Sequence, residues 1–179
     1  MTARVLGALL LAMFTLLGCG TYQTRPVLMK SYPGASPGTG VVCVVRAADD
    51  ADDADDADST VPVWDNGVLV GATRGASHFC YRAEAGPHRV VSELLVTAEL
   101  RMDVRAEEHH WIATEVGVAS YLYSSGVPRR LEEWVSLREM SAAEAKGSLM
   151  RTRRLQLVEA PSGETVPVGA TVPARRLVD

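Results

Sequence analysis

The reactive side chains of this 179-residue chain are three cysteines, four histidines and a cluster of carboxylates. Cys19 has the most telling surroundings. Arg4 precedes an apolar run from Val5 to Leu17, and that run closes on Leu16-Leu17-Gly18-Cys19. A positive start, a short apolar stretch and a small residue before the cut are the marks of a secretory signal. A small residue set directly before a cysteine resembles the bacterial lipobox. The chemistry implied is a thioether between the Cys19 sulfur and diacylglycerol, cleavage after Gly18 and acylation of the freed amine. The run of 13 residues is too short to span a bilayer, which takes roughly 20. Gly20 in place of aspartate after the cysteine favours the outer membrane under the enterobacterial sorting rule.

Cys43 and Cys80 each sit in a strand-like apolar segment. Beyond the inner membrane they meet an oxidising compartment, so they either form a disulfide or stand as two small buried hydrophobes. Glu107-Glu108-His109-His110 has the residue types of a metal site. Neighbours on a strand point to opposite faces and no histidine pair has zinc spacing, so no metal is expected. The repeated Asp-Asp-Ala of residues 47–58 lacks the varied ligands and turn glycine of a calcium loop, and its repulsion predicts an extended, solvated loop. Ser124-Ser125-Gly126 lacks the Gly-x-Ser-x-Gly elbow, and no phosphate-cradling glycine loop opens a helix. No catalytic residue, cofactor or enzymatic activity is expected.

Composition narrows the partners. Removing residues 1–18 takes away one charge, Arg4, and leaves 161 residues with 17 basic and 22 acidic side chains. Seven of those acids, Asp49 to Asp58, lie in the one acidic stretch, so the remainder is nearly neutral. It lacks the concentrated basic surface that a phosphate backbone requires, which argues against nucleic acid.

The elements that must carry these residues read as strands. Val41-Val42-Cys43-Val44-Val45 is a β-branched run of the kind buried on both faces. Val61 to Asp65 and Val68 to Gly71 flank Asn66-Gly67, the strongest short hairpin signal because a type I′ turn needs positive φ twice. Further strands are expected at Ser77–Arg82, His88–Val91 and residues 109–118. Val96, Ala98, Leu100, Met102 and Val104 alternate with polar residues, the signature of a half-buried strand, with Leu100 expected at its buried centre. Leu131, Val135 and Leu137, with Trp134 opposite, mark a last strand. Between residues 119 and 130 the chain reads as an exposed loop with Tyr121, Tyr123, Arg129 and Arg130. Ser141-Ala142-Ala143-Glu144 is a capping box for a short helix ending near Arg153. The organisation expected is a signal helix over 1–18, a flexible tether over 19–40, a β domain over 41–155 with an Asp-rich loop at 47–60, and a disordered tail over 156–179.

The stretch from Val41 to about Arg154 resembles a bacterial lipoprotein family known as "domain of unknown function 2846", with a more distant likeness to PEGA-type β-sandwich domains. The resemblance is carried by the apolar strand Val41 to Arg46, by Val63-Trp64-Asp65-Asn66-Gly67-Val68-Leu69-Val70-Gly71, by Ala76-Ser77-His78-Phe79 and by the turn Gly86-Pro87-His88. It implies a mainly β fold, an antiparallel β-sandwich with a short C-terminal helix, held on a lipid anchor. No activity comes with it. Two function classes follow. One is an envelope lipoprotein, anchored through Cys19 to the outer membrane and facing the periplasm, that presents the β domain to a protein or glycan partner through Tyr121, Tyr123, Arg129 and Arg130. The other is a carrier of a small lipid or metal ligand, which needs a concave cavity inside the fold.

Overall fold

The run Val41 to Val45 is the centre of the molecule. In the computed structural model these five residues are at most 1% exposed, as a β-branched run buried on both faces demands. The structure describes residues 22–27, 33–47, 59–122, 128–159 and 171–174, with backbone only for 118–122, 128–132 and 157–159. Residues 1–21 with Cys19, residues 48–58 of the Asp-rich loop and Tyr123 lie outside the described residues. The strands are β1 (Gln23–Pro26), β2 (Thr39–Arg46), β3 (Thr60–Asp65), β4 (Val68–Arg74), β5 (Ser77–Glu84), β6 (Gly86–Glu93), β7 (Thr97–Val104), β8 (His109–Leu122) and β9 (Pro128–Met140). The helix α1 (Ala142–Leu149) follows, then β10 (Arg153–Glu159) and β11 (Thr171–Val172).

Two sheets face each other, so the fold is mainly β and sandwich-like with one short helix among the described residues. The larger has the order β1-β10-β5-β2-β8-β9 with β11 also on β5, and the smaller has the order β4-β3-β6-β7. The smaller is antiparallel throughout. The larger is mixed: β2 and β8 are parallel, as are β5 with β10 and β5 with β11. After β2 the chain crosses to the small sheet for β3 and β4, returns as β5, crosses again for β6 and β7, and re-enters beside β2 as β8. Parallel neighbours suit a strand with no wet face. The inner faces meet in a cluster that includes Val42, Val44, Phe79 and Ile112 from the large sheet and Val63, Val90, Met102 and Val104 from the small one.

Local rules explain the connections. Asn66 and Gly67 have φ of 51° and 79°, the two positive values of a mirror-image hairpin turn. On β7, Met102 and Val104 are buried while Thr97, Glu99, Arg101 and Asp103 are exposed, which is the expected alternation. Leu100 departs from expectation: it is only partly buried, packed against the rim of the core, because β7 is an edge strand. The Ser141 hydroxyl accepts from the Glu144 N–H at 3.2 Å and starts α1. The helix ends at Leu149 and not near Arg153, where β10 begins.

Three expected boundaries need correction. The tether contains β1, which pairs with β10, and Tyr22 ahead of it packs against Trp64, Leu69 and Ala72. The tail contains most of β10 and also β11, whose Val172 is 3% exposed within the core. Neither segment has an apolar period, because edge pairing is carried by backbone hydrogen bonds and one or two buried side chains. The loop expected over 119–130 is largely the two arms of the β8–β9 hairpin, which carry Tyr121, Arg129 and Arg130 on paired strands.

The registers give the sandwich two distinct ends. At one lie Tyr22, the Asn66-Gly67 turn, the Glu84–Gly86 link and Pro173, whose carbonyl accepts from Asn66 Nδ2 at 2.9 Å. At the other lie the β8–β9 connection, the Leu94–Val96 bend and the flanks of the Asp-rich stretch, Arg46 and Ser59. Among the described residues no helix is long and apolar enough to cross a membrane.

Met102→Ala is expected to cost about 2–5 kcal/mol through lost burial and cavity. Leu100→Ala should cost less and Arg101→Ala stay within about 0.5 kcal/mol. Thermal melts of the three variants test the facing of β7. A truncation to 41–155 should melt below a chain of 22–174, since it loses β1, Val172 and most of β10.

Candidate functional site

The strongest electrostatic feature lies inside the sandwich, where Asp65 of β3 and His88 of β6 are both 0% exposed. Asp65 is in phase with Val61 and Val63, and His88 is in phase with Val90, so strand alternation turns both inward. His88 Nδ1 lies 2.7 Å from Asp65 Oδ2 and its Nε2 lies 2.8 Å from the Glu84 carbonyl oxygen. A carboxylate and a carbonyl are both acceptors, so this pair of partners favours the ring with a proton on each nitrogen, the imidazolium. Burial opposes that charge. The hydrogen bond to Asp65 and its negative charge, helped by the Glu84 carbonyl and by Asp103, outweigh it, and the His88 pKa is raised. From the large sheet the Tyr81 hydroxyl donates to Asp65 Oδ2 at 3.1 Å. Burial, and then Asp65, push that phenol well above its ordinary value.

A histidine acting as a general base needs a nitrogen facing substrate. Both nitrogens of His88 are engaged and the ring has no solvent access, so the network bonds the sheets together and is not an Asp-His catalytic pair. His78 is its opposite. It is 5% exposed, with Nδ1 2.8 Å from Thr152 Oγ1. Burial, and then the charge of Arg154, lower its pKa to about 4. The ring is neutral at pH 7.

Cys43 and Cys80 face each other in register on β2 and β5 and are joined by a disulfide across a sequence separation of 37. Bridges of this kind are typically worth about 2–4 kcal/mol. His109 and His110 are not brought together. His110 Nε2 accepts from the Arg105 N–H at 2.9 Å, and His109 stacks on Trp111 with ring centroids 6.0 Å apart. Among the described residues no three His, Cys, Asp or Glu side chains are grouped to hold a metal ion.

The accessible candidate lies on the outer face of the large sheet. There a cleft of about 320 Å³ opens beside α1, lined by Val45, Ala113, Glu115, Arg138, Glu144 and Arg151 among others. Arg138 bridges two carboxylates, with Glu115 at 3.2 Å and Glu144 at 2.6 Å. Next to this array on the same face, Trp134 of β9 stands opposite Gly117 of β8. A Cβ at Gly117 would lie 2.6 Å from Trp134 Cζ2, so the indole rests on the glycine backbone. Trp134 is 37% exposed even so. Sequence alternation placed Trp134 opposite Val135 but did not mark it as a site. The usable signal is a glycine inside a strand, which often marks close approach of another group. Of the residues expected to contact a partner, Tyr121, Arg129 and Arg130 lie further along this hairpin, and Tyr123 lies outside the described residues.

No protein-family model, curated protein or solved structure matches the chain.

The two histidines predict opposite pH dependences. His88 has its folded pKa above the unfolded value near 6.5. Its contribution is therefore complete below pH 6.5 and is lost as pH rises through the folded pKa. His78 is depressed from 6.5 to about 4, so its contribution is present above pH 6.5 and lost as pH falls toward 4. That loss is roughly 3 kcal/mol at full extent. Denaturant titrations across pH should show His78→Gln flattening the acid limb and His88→Gln flattening the alkaline limb. His88→Ala at pH 6 should cost about 3–5 kcal/mol, because the Asp65 carboxylate stays buried without its partner.

Proposed function

We propose that the chain is a lipid-anchored protein of the bacterial envelope, acylated at Cys19, that presents its β sandwich to a glycan and carries out no catalysis. The anchor reading rests on Leu16-Leu17-Gly18-Cys19 and on the resemblance to the lipoprotein family described above. Gly20 favours the outer membrane, with the domain facing the periplasm. The observation that carries the binding reading is the pairing of Trp134, seated against Gly117 and 37% exposed, with the cleft around Arg138. An exposed indole face takes the apolar face of a sugar ring, and a guanidinium between two carboxylates supplies donors and acceptors for its hydroxyls. The cleft has Arg138 and Arg151 against Glu115 and Glu144, so its formal charges balance. That balance favours a neutral, hydroxyl-rich ligand over an anion or a cation. Its volume is at the lower end for a ligand site, about 300–1,000 Å³.

A carrier would need its cavity between the sheets. That space holds the packed side chains of Val42, Phe79, Val90, Met102 and Ile112, and the cleft lies outside it.

The experiment is titration of the folded domain with soluble fragments of cell-wall glycan, together with cosedimentation on purified peptidoglycan. Wild type is expected to bind saturably with a change in tryptophan emission. Trp134→Ala should weaken binding about tenfold, equal to about 1.4 kcal/mol, while leaving the melting curve close to wild type. Absence of saturable binding, or equal binding by Trp134→Ala, would refute the glycan reading.

A further inference from the structure

We infer that the end of the sandwich bearing Tyr22, Trp64 and Val68 lies directly against the phospholipid surface, and that the domain is not held off it by a tether. This rests on the reading of Cys19 as the acylated residue. Only Gly20 and Thr21 stand between Cys19 and Tyr22. Three peptide steps reach at most about 11 Å. Tyr22 is not free to extend that reach. Its ring meets Trp64 edge-on with centroids 6.4 Å apart and packs with Leu69 and Ala72, and the next residues form β1. The leash therefore ends in the fold two residues after the lipid. A domain tied so closely has little choice of which end faces the membrane.

Exposed aliphatic side chains do not choose the end, since Leu95 and Val96 at the opposite bend are more exposed than Val68, but the aromatic pair suits the occupant. Tyr22 and Trp64 are both partly exposed, and aromatic rings with one apolar side and one polar tip favour the headgroup level of a bilayer. Trp64 pairs with Leu69, and Val68 beyond it at the hairpin turn is 37% exposed. Asn66 and Gly67 form the hairpin tip and carry no charge, while the β7–β8 turn at the same end adds Glu107 and Glu108. The strand registers run from here to the opposite end, where β8 and β9 approach their connection. Trp134 and the β8–β9 tip therefore belong to the part directed away from the bilayer. The spacer expected over residues 19–40 is replaced by an orientation.

The test uses the full-length protein purified with its acyl chains and reconstituted into phosphatidylethanolamine and phosphatidylglycerol vesicles, some containing lipids brominated near the headgroup. Mass spectrometry of the N-terminal peptide first establishes whether Cys19 is acylated. An unmodified Cys19 refutes the anchor reading on its own. With acylated protein, a variant keeping only Trp64 (Trp111→Phe, Trp134→Phe) is expected to lose at least half its emission to the bromolipid. A variant keeping only Trp134 (Trp64→Phe, Trp111→Phe) should lose almost none. Hydrogen exchange of the unsubstituted protein on and off vesicles provides a second measurement that needs no tryptophan change, with slowed exchange expected at residues 66–68. Equal quenching of the two tryptophans, quenching of neither, or protection confined to the β8–β9 hairpin would overturn the apposition while leaving the acylation result intact.

Discussion

The pair formed by Asp65 and His88 is the constraint around which the two sheets are set. Asp65 and His88 belong to the small sheet, while their further partners, the Tyr81 hydroxyl and the Glu84 carbonyl, belong to β5 of the large one. The bolt is therefore polar and joins the layers, in a sandwich otherwise held by nondirectional burial. Its net contribution is modest, since desolvating two charges consumes much of their attraction. Its geometric demand is large. Slipping β3 or β6 by one residue would turn a charge to the outside and leave its partner buried alone. The apolar residues on either side, Val63 and Val90, would accept several registers; Asp65 and His88 accept one.

That bolt also shows where sequence reading stops. The β7 alternation, the Asn66-Gly67 turn, the buried run at β2 and the Ser141 cap were legible, because each is a local pattern with a local cause. Asp65 and His88 are 23 residues apart, and each looks like a turn-flanking polar residue. Only their phase with Val63 and Val90 gives a hint. Both lie in segments that carry the family resemblance, yet that pattern alone gave no sign that they meet. Strands β1 and β11 were illegible for a different reason. They lie on β10 and β5, and backbone pairing there leaves no period in the side chains. The parallel partnership of β2 with β8 depends on where the chain returns after two excursions to the other sheet, which no window of sequence records. At the candidate site, Trp134 was placed on the correct side of its strand, but its seat on Gly117 is a cross-strand contact visible only in register.

The two buried histidines make the same point for charge. His78 and His88 start from the same intrinsic pKa and are buried to a similar degree. One faces a hydroxyl and a neighbouring guanidinium and stays neutral. The other faces a carboxylate and a carbonyl, and its charged form is favoured. Burial has the same sign in both, so the partner decides the outcome.

Chain order then gives the sandwich its polarity. Strands β2 and β8 run parallel from the Tyr22 end. The long β8–β9 hairpin therefore leaves the core at the end opposite the one where the chain enters through Tyr22. A fully antiparallel neighbour beside β2 would have brought that hairpin back toward the entry point. On the proposed anchor, such an arrangement would press Trp134 and the Arg138 cleft toward the membrane. The parallel pairing that local sequence could not reveal thus separates two ends: on the proposed anchor, one closed by Tyr22, Trp64 and the Asn66-Gly67 turn would face the membrane, and the other is built on the only two strands of the described chain longer than ten residues.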